Sequence, residues 1–164
     1  GMGLERLVKV MQKVETVFET DLFAPIMPPA GSRIVADHIR TAVFMIADGV
    51  LPSNTDRGYI LRRLLRRAYV RNKEADPVIE AVIRHPSYRG LYTFSSDTRS
   101  IIGEEFDKFR KALDAGLKQI EKGADPFILF TSYGLPLEII EKVIPVDREK
   151  FQKQMAEHRR ISKL

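Results

Sequence analysis

The sequence predicts an all-α protein, a helical bundle, and three observations carry that expectation. Apolar residues recur three and four apart along nearly the whole chain, the period of a helix with one buried face. Capping residues, prolines and glycines punctuate that period at helix-length intervals. An alternating pattern that would suit a strand is confined to Pro126–Phe130.

In chain order, Leu4, Leu7, Val8, Met11, Val14 and Phe18 form the first helical face. Three prolines and a glycine between Pro25 and Gly31 make a connector. Ser32 is placed to cap a second helix whose apolar stripe is Val35, Ile39, Ala42, Val43 and Ile46. Asp48-Gly49 ends it, since glycine suits the left-handed position past a helix C-terminus. Leu51-Pro52 then breaks the chain, because the residue before proline is pushed out of helical space. Ser53-Asn54-Thr55-Asp56 reads as the capping sequence of a third helix, Asp56 to Asn72. At about 100° per residue, Ile60, Leu61, Leu64, Leu65 and Ala68 share one side, and Arg62, Arg63, Arg66 and Arg67 the other. Asp76-Pro77 starts a short helix through Val78, Ile79, Val82 and Ile83, stopped by His85-Pro86. Tyr88 to Thr98 is aromatic and turn-rich, without a period. Ile102, Phe106, Phe109, Leu113, Leu117 and Ile120 lie on a long helix from Ile101 to Lys122, ended by Gly123. Asp125-Pro126, Leu135-Pro136 and Asp147 open three shorter elements, the last running through Phe151 and Met155.

Composition narrows the function. A length of 164 residues gives one domain, or one with a small appendage. With 44% hydrophobic and 30% charged residues, the chain is globular rather than disordered. The longest apolar run, Ala42 to Ala47, is far short of a membrane span, and the first residues lack the pattern of a signal peptide. The absence of cysteine excludes disulfides, a thiol nucleophile and a zinc–thiolate site. The expected compartment is the cytosol. A net charge of +5 is modest, but Arg57, Arg62, Arg63, Arg66, Arg67, Arg71 and Lys73 stand together with no acid among them. The rest of the chain is slightly acidic.

That arginine helix is the strongest chemical signal. Arg62/Arg66 and Arg63/Arg67 are like-charge pairs four apart, which repel by a few tenths of a kcal/mol each. Either acids elsewhere in the fold pair with them, or they form a face for phosphate, to which each guanidinium offers a planar fork. Tyr59 and Tyr69 lie in the same segment and are candidates to stack on bases or riboses, which favours nucleic acid over a generic anion. His38, His85 and His158 lack metal-ligand spacing and read as packed or surface histidines. Asp37 and His38 are adjacent and would point about 100° apart on a helix, so they are not expected to work as a pair. No phosphate-binding loop, dinucleotide fingerprint or nucleophile elbow is present, and neither a catalytic residue nor a metal ligand is assigned.

Three segments resemble alanyl-tRNA synthetase. They are Ile34-Val35-Ala36-Asp37-His38-Ile39-Arg40, then Ile46-Ala47-Asp48-Gly49-Val50-Leu51-Pro52-Ser53-Asn54, then Arg57-Gly58-Tyr59-Ile60-Leu61-Arg62-Arg63-Leu64-Leu65-Arg66-Arg67-Ala68. Gly1-Met2-Gly3-Leu4-Glu5-Arg6-Leu7 resembles the class II motif 3 of that family, with Asp21-Leu22-Phe23 fitting downstream. Ser132-Tyr133-Gly134-Leu135-Pro136-Leu137-Glu138 is similar to its Asp-Thr-Tyr-Gly-Phe-Pro-Leu-Asp segment.

The resemblance implies a motif 3 remnant with its helix over 1–24, a basic helical tRNA-binding domain over 25–123 and a C-terminal helical subdomain over 124–164. It implies the tRNA acceptor stem as partner, met by Asn54, Arg57, Tyr59, Arg62, Arg63, Arg66, Arg67 and Arg71. Asn54 matches the asparagine placed near the G·U wobble pair of that stem. The aspartate that works with it in the family corresponds to Thr131 here, which carries no charge. Gly3 and Arg6 match motif 3 positions that meet ATP, whose site, with magnesium, belongs to the complete family enzyme. No cofactor is expected in this chain. Motifs 1 and 2 and the editing domain fall outside it, so adenylation by the chain alone is not expected. The alternatives are a part of an active ligase whose catalytic half is on another chain, or a protein-interaction module that kept the fold.

Overall fold

The structure, a computed structural model, describes residues 3–28 and 31–161, apart from the side chain of Arg159. Gly1 and Met2 of the motif 3 resemblance, and Pro29 and Ala30 of the connector, lie outside the described residues. The described residues form α-helices and two 3-10 turns, and no strand. They fall into two compact units, Gly1–Phe106 and Asp107–Leu164.

The first helix, α1 (Leu4–Gln12), is shorter than its apolar period predicts. Lys13 turns left-handed (φ 54°) and its N–H closes back on Lys9 and Val10, so Val14 and Phe18 leave the helical path. Phe18 instead lies within a 3-10 turn, Val17–Glu19, and meets Phe23 edge-on at 5.0 Å. None of the α1 residues is buried.

The second helix, α2 (Arg33–Ala47), is capped by Ser32, whose hydroxyl accepts the Val35 N–H at 3.4 Å. Its whole expected stripe, Val35, Ile39, Ala42, Val43 and Ile46, is buried. Gly49 follows with φ +80°, the left-handed C-terminal stop. The third helix, α3 (Asp56–Arg71), packs along α2 through Leu61, Leu65 and Ala68, all fully buried, with Leu64 half-buried. Ile60 departs from the expectation: it is 51% exposed, because it sits at the edge of the stripe on the first turns of α3.

Two helices complete the N-terminal side: α4 (Asp76–Arg84), buried through Val78, Ile79 and Val82, and α5 (Pro86–Arg89), a single turn. His85 caps α5 by accepting the Ser87 N–H at Nδ1, while its Nε2 donates to the Asp21 carbonyl at 2.8 Å. The aperiodic stretch that follows is organised by rings. Tyr88, Tyr92 and Phe94 each lie within 6 Å of Phe44. The long helix α6 (Thr98–Glu121) gives its first turns to this unit, where Ile102, Glu105 and Phe106 are buried.

The second unit holds the rest of α6 with α7 (Pro126–Thr131), α8 (Leu137–Val143) and α9 (Arg148–Ile161). The reading of Pro126–Phe130 as a possible strand is overturned: the segment is helix α7, which Asp125 caps by accepting the Phe127 N–H at 2.8 Å. Leu129, Leu135 and Ile140 form the core, with Leu113 and Ile120 of α6 packed on it. Gly116 lets Leu135 approach: a Cβ there would stand 2.9 Å from both Leu135 methyls.

Candidate nucleic-acid interface

The site is built on the N-terminal half of α3 and the loop that leads into it. Residues 51–54 press against the helix at Gly58, where a Cβ would stand 2.5 Å from the Leu51 carbonyl oxygen and 2.8 Å from Ser53 Cβ. Only glycine fits that approach. Ser53 steadies the turn by donating to the Thr55 carbonyl at 2.9 Å, and Asp56 enters the helix in the left-handed region (φ 49°), which aspartate tolerates better than most residues. The result places Asn54, exposed, beside the first turns of α3.

The four arginines do not share one fate. Arg66 is buried at 9% exposure, and its Nε donates to Glu105 Oε1 at 2.9 Å. Arg62 donates from Nε to the same oxygen at 3.1 Å, and from Nη1 to Asn54 Oδ1. Glu105 is itself only 3% exposed. The expectation that all four guanidiniums face outward together is therefore corrected. One carboxylate from α6 takes two of them, which relieves the Arg62/Arg66 repulsion. Burial pulls the Arg66 guanidinium below its ordinary pKa, opposed by the hydrogen bond and charge of Glu105.

What remains outward is Arg57, Arg63 and Arg71, all exposed, with Arg67 half-buried. Among the described residues no carboxylate pairs with Arg57, Arg63 or Arg71. Arg63 lies over the exposed Tyr59 ring at 5.9 Å, so the two present a joint cationic and aromatic surface. Tyr69, the other candidate for stacking on a base, is buried against Phe106 at 5.1 Å and belongs to the core.

Thr131 is in the second unit, at the end of α7, and its hydroxyl donates to the Phe127 carbonyl at 2.8 Å. Gly3 precedes α1 and Arg6 is exposed on its first turn, while Glu5 turns inward to Arg40 at 3.0 Å. A phosphate at Arg6 would meet one guanidinium open to water. His38 Nδ1 does reach Asp37 Oδ2 at 3.2 Å, contrary to the expectation from their helical spacing. His158 meets the Phe127 ring at 5.7 Å. No group of three His, Asp or Glu gathers for a metal among the described residues, and no described helix is long and apolar enough to cross a membrane.

The family described as tRNA synthetases class II (A) matches this chain over residues 1–164. The chain belongs to that family. Among its relatives, the alanine–tRNA ligase of Lacticaseibacillus paracasei is 38% identical over 97% of this chain. That of Bacillus subtilis is 35% identical over 97%, and that of Xanthomonas axonopodis 34% over 99%. The chain spans only 23% of the length of each of these class II ligases. The resemblance to alanyl-tRNA synthetase read from the motifs thus extends over the whole class II (A) match. Sequence reasoning missed two residues of the site, Glu105 and Gly58. The unrelieved Arg62/Arg66 repulsion signalled that an acid was needed, but not which one.

Proposed function

We propose that this chain binds the acceptor stem of tRNA through the start of α3, as the RNA-gripping part of an alanine–tRNA ligase acting in the cytosol. The observation that carries the reading is Asn54, exposed and met by Arg62, at the start of a helix that carries exposed arginines. Arg57 and Arg63 are exposed on the first turns of α3, Tyr59 offers a ring there, and Asn54 stands exposed where Arg62 meets it, while Arg71 extends the exposed cations to the far end of the helix. Arg62 and Arg66 support this surface from within, and Arg67 lies at its margin. Thr131, in the second unit, carries a hydroxyl in place of a carboxylate, and that hydroxyl donates its hydrogen bond to the Phe127 carbonyl.

Binding of tRNA measured as a function of salt tests this. About three phosphate contacts give a slope of log K against log salt of roughly −3, flattened by about one in each of R57A, R63A and R71A. With no carboxylate at Thr131, acceptor stems with and without a G·U pair should bind within about tenfold of one another. No binding at low salt, or a slope unchanged in the triple variant, would sink the reading.

One observation favours membership of a larger active ligase. Leu4, Leu7, Val10 and Met11 of α1 are 59%, 46%, 65% and 73% exposed, an apolar face of the kind that marks a surface for a neighbouring part of a protein. The ATP and magnesium of such an enzyme would be held mainly by residues beyond this chain, with Gly3 and Arg6 at the margin. The chain alone should then give no alanine-dependent pyrophosphate exchange, since adenylation needs both substrates held together. Exchange by the purified chain would refute that.

A further inference from the structure

We propose that Glu105 is a positioning residue for RNA recognition: acting through Arg62, it fixes the Asn54 side chain with its NH2 group turned outward. The inference rests on the acceptor-stem reading above and names the device that makes it work.

Glu105 is 3% exposed and gives one oxygen to two guanidiniums, Arg62 Nε at 3.1 Å and Arg66 Nε at 2.9 Å. Arg66 is buried beside it and anchors the carboxylate within the fold. Arg62 extends the chain of contacts to the surface, where its Nη1 donates to Asn54 Oδ1. The guanidinium is planar, so holding Nε on Glu105 sets the direction in which Nη1 points. A guanidinium has donors only, so the Asn54 atom that meets it must be the carbonyl oxygen. The amide NH2 is thereby turned away from Arg62, ready to donate to acceptor atoms of an RNA. An exposed asparagine without this support would sample several rotamers and lose that freedom on binding, which weakens association. Gly58 adds the backbone half of the same device by letting residues 51–54 seat against α3.

Two variants of the full chain separate positioning from packing. R66M/E105L removes the buried charges together and leaves Arg62 without its anchor. R62M leaves the Glu105–Arg66 pair intact and deletes only the arm that reaches Asn54, so it serves even where the double variant folds poorly. The first readout needs no RNA: the heteronuclear NOE of the Asn54 side-chain amide in 15N-labelled protein. It should be rigid in the parent and mobile in both variants. An amide mobile in the parent, or still rigid in both variants, overturns the proposal.

The second readout is the affinity for an RNA acceptor-stem hairpin carrying one G·U pair. Both variants should bind about tenfold more weakly, the scale of one well-placed hydrogen bond. Their salt slope should stay unchanged, whereas loss of a phosphate contact would flatten it by about one. Adding N54A to either variant should change nothing further, because the two substitutions break the same link. If N54A weakens the parent while R66M/E105L and R62M bind like the parent, the positioning role alone fails. If the parent does not bind the hairpin, the acceptor-stem reading fails and takes the proposal with it.

Discussion

Removing Glu105 alone should destabilise the protein far more than removing Glu105 and Arg66 together. The carboxylate is 3% exposed, and its partner's side chain is 11% exposed with 2.9 Å between nitrogen and oxygen. At that separation, and an effective dielectric of about 20, the gross attraction is about 6 kcal/mol. Desolvation of both groups offsets most of it, which is why a well-packed apolar pair of similar volume is close to neutral. Glu105→Ala keeps the desolvation of Arg66 and discards the attraction, leaving a buried cation that costs about 3–5 kcal/mol. At about 2–4 °C per kcal/mol the melting temperature should fall by roughly 6–20 °C. Arg62 adds little to this loss, since its side chain is 25% exposed and can turn to water. R66M/E105L should melt within about 1–2 kcal/mol of the parent. Thermal and urea unfolding followed by circular dichroism measure both variants. An E105A variant within about 1 kcal/mol of the parent would mean that the pair is solvated. A double variant no better than the single would mean that the loss is one of packing.

Three further outcomes follow from the fold. Leu61→Ala should cost roughly 2–5 kcal/mol in urea unfolding, and Ile60→Ala under about 1 kcal/mol, since the first is fully buried and the second 51% exposed. Gly58→Ala should destabilise the protein and shift the amide resonances of residues 51–54, because its Cβ would strike the Leu51 carbonyl; an unperturbed loop contradicts the close approach. The Glu5 carboxyl lies below its ordinary pKa of 4.5, held there by its own backbone hydrogen bond and by Arg40. A depressed carboxyl stabilises above its unfolded pKa and stops doing so as pH falls through its folded one. The stability gap between the parent and E5Q should therefore be full at neutral pH and close below pH 4.5; a gap that persists in acid refutes the assignment.

The bundle was legible because its signals are local. The Ser32 cap, the α2 stripe and the left-handed Gly49 follow from spacing and from the chemistry of single residues. Local signals also explain the failures. A period of three and four runs on through Val14 and Phe18, yet Lys13 ends α1, because nothing in that period encodes where the chain must turn. Pro126–Phe130 is a short, wholly apolar run that suits a strand as well as a helix, and the Asp125 cap and the neighbouring core residues decide for helix. At the candidate site, Asn54 and the arginine face were visible in the sequence, whereas the division of labour among the arginines was not. Which guanidinium turns inward depends on Glu105, 39 residues beyond Arg66 and placed by the packing of another helix. A similar gap hid Tyr69, whose burial depends on Phe106 rather than on its neighbours in α3.

Every cation on α3 is an arginine: the helix from Asp56 to Arg71 contains neither lysine nor histidine. Guanidinium groups keep their charge at any pH a cell reaches, and they are not substrates for the acetylation that silences lysines. The attraction this helix exerts on a polyanion is therefore constant, unaffected by acidification or by acetyl transfer. Any control over what it holds has to come from somewhere other than its charge.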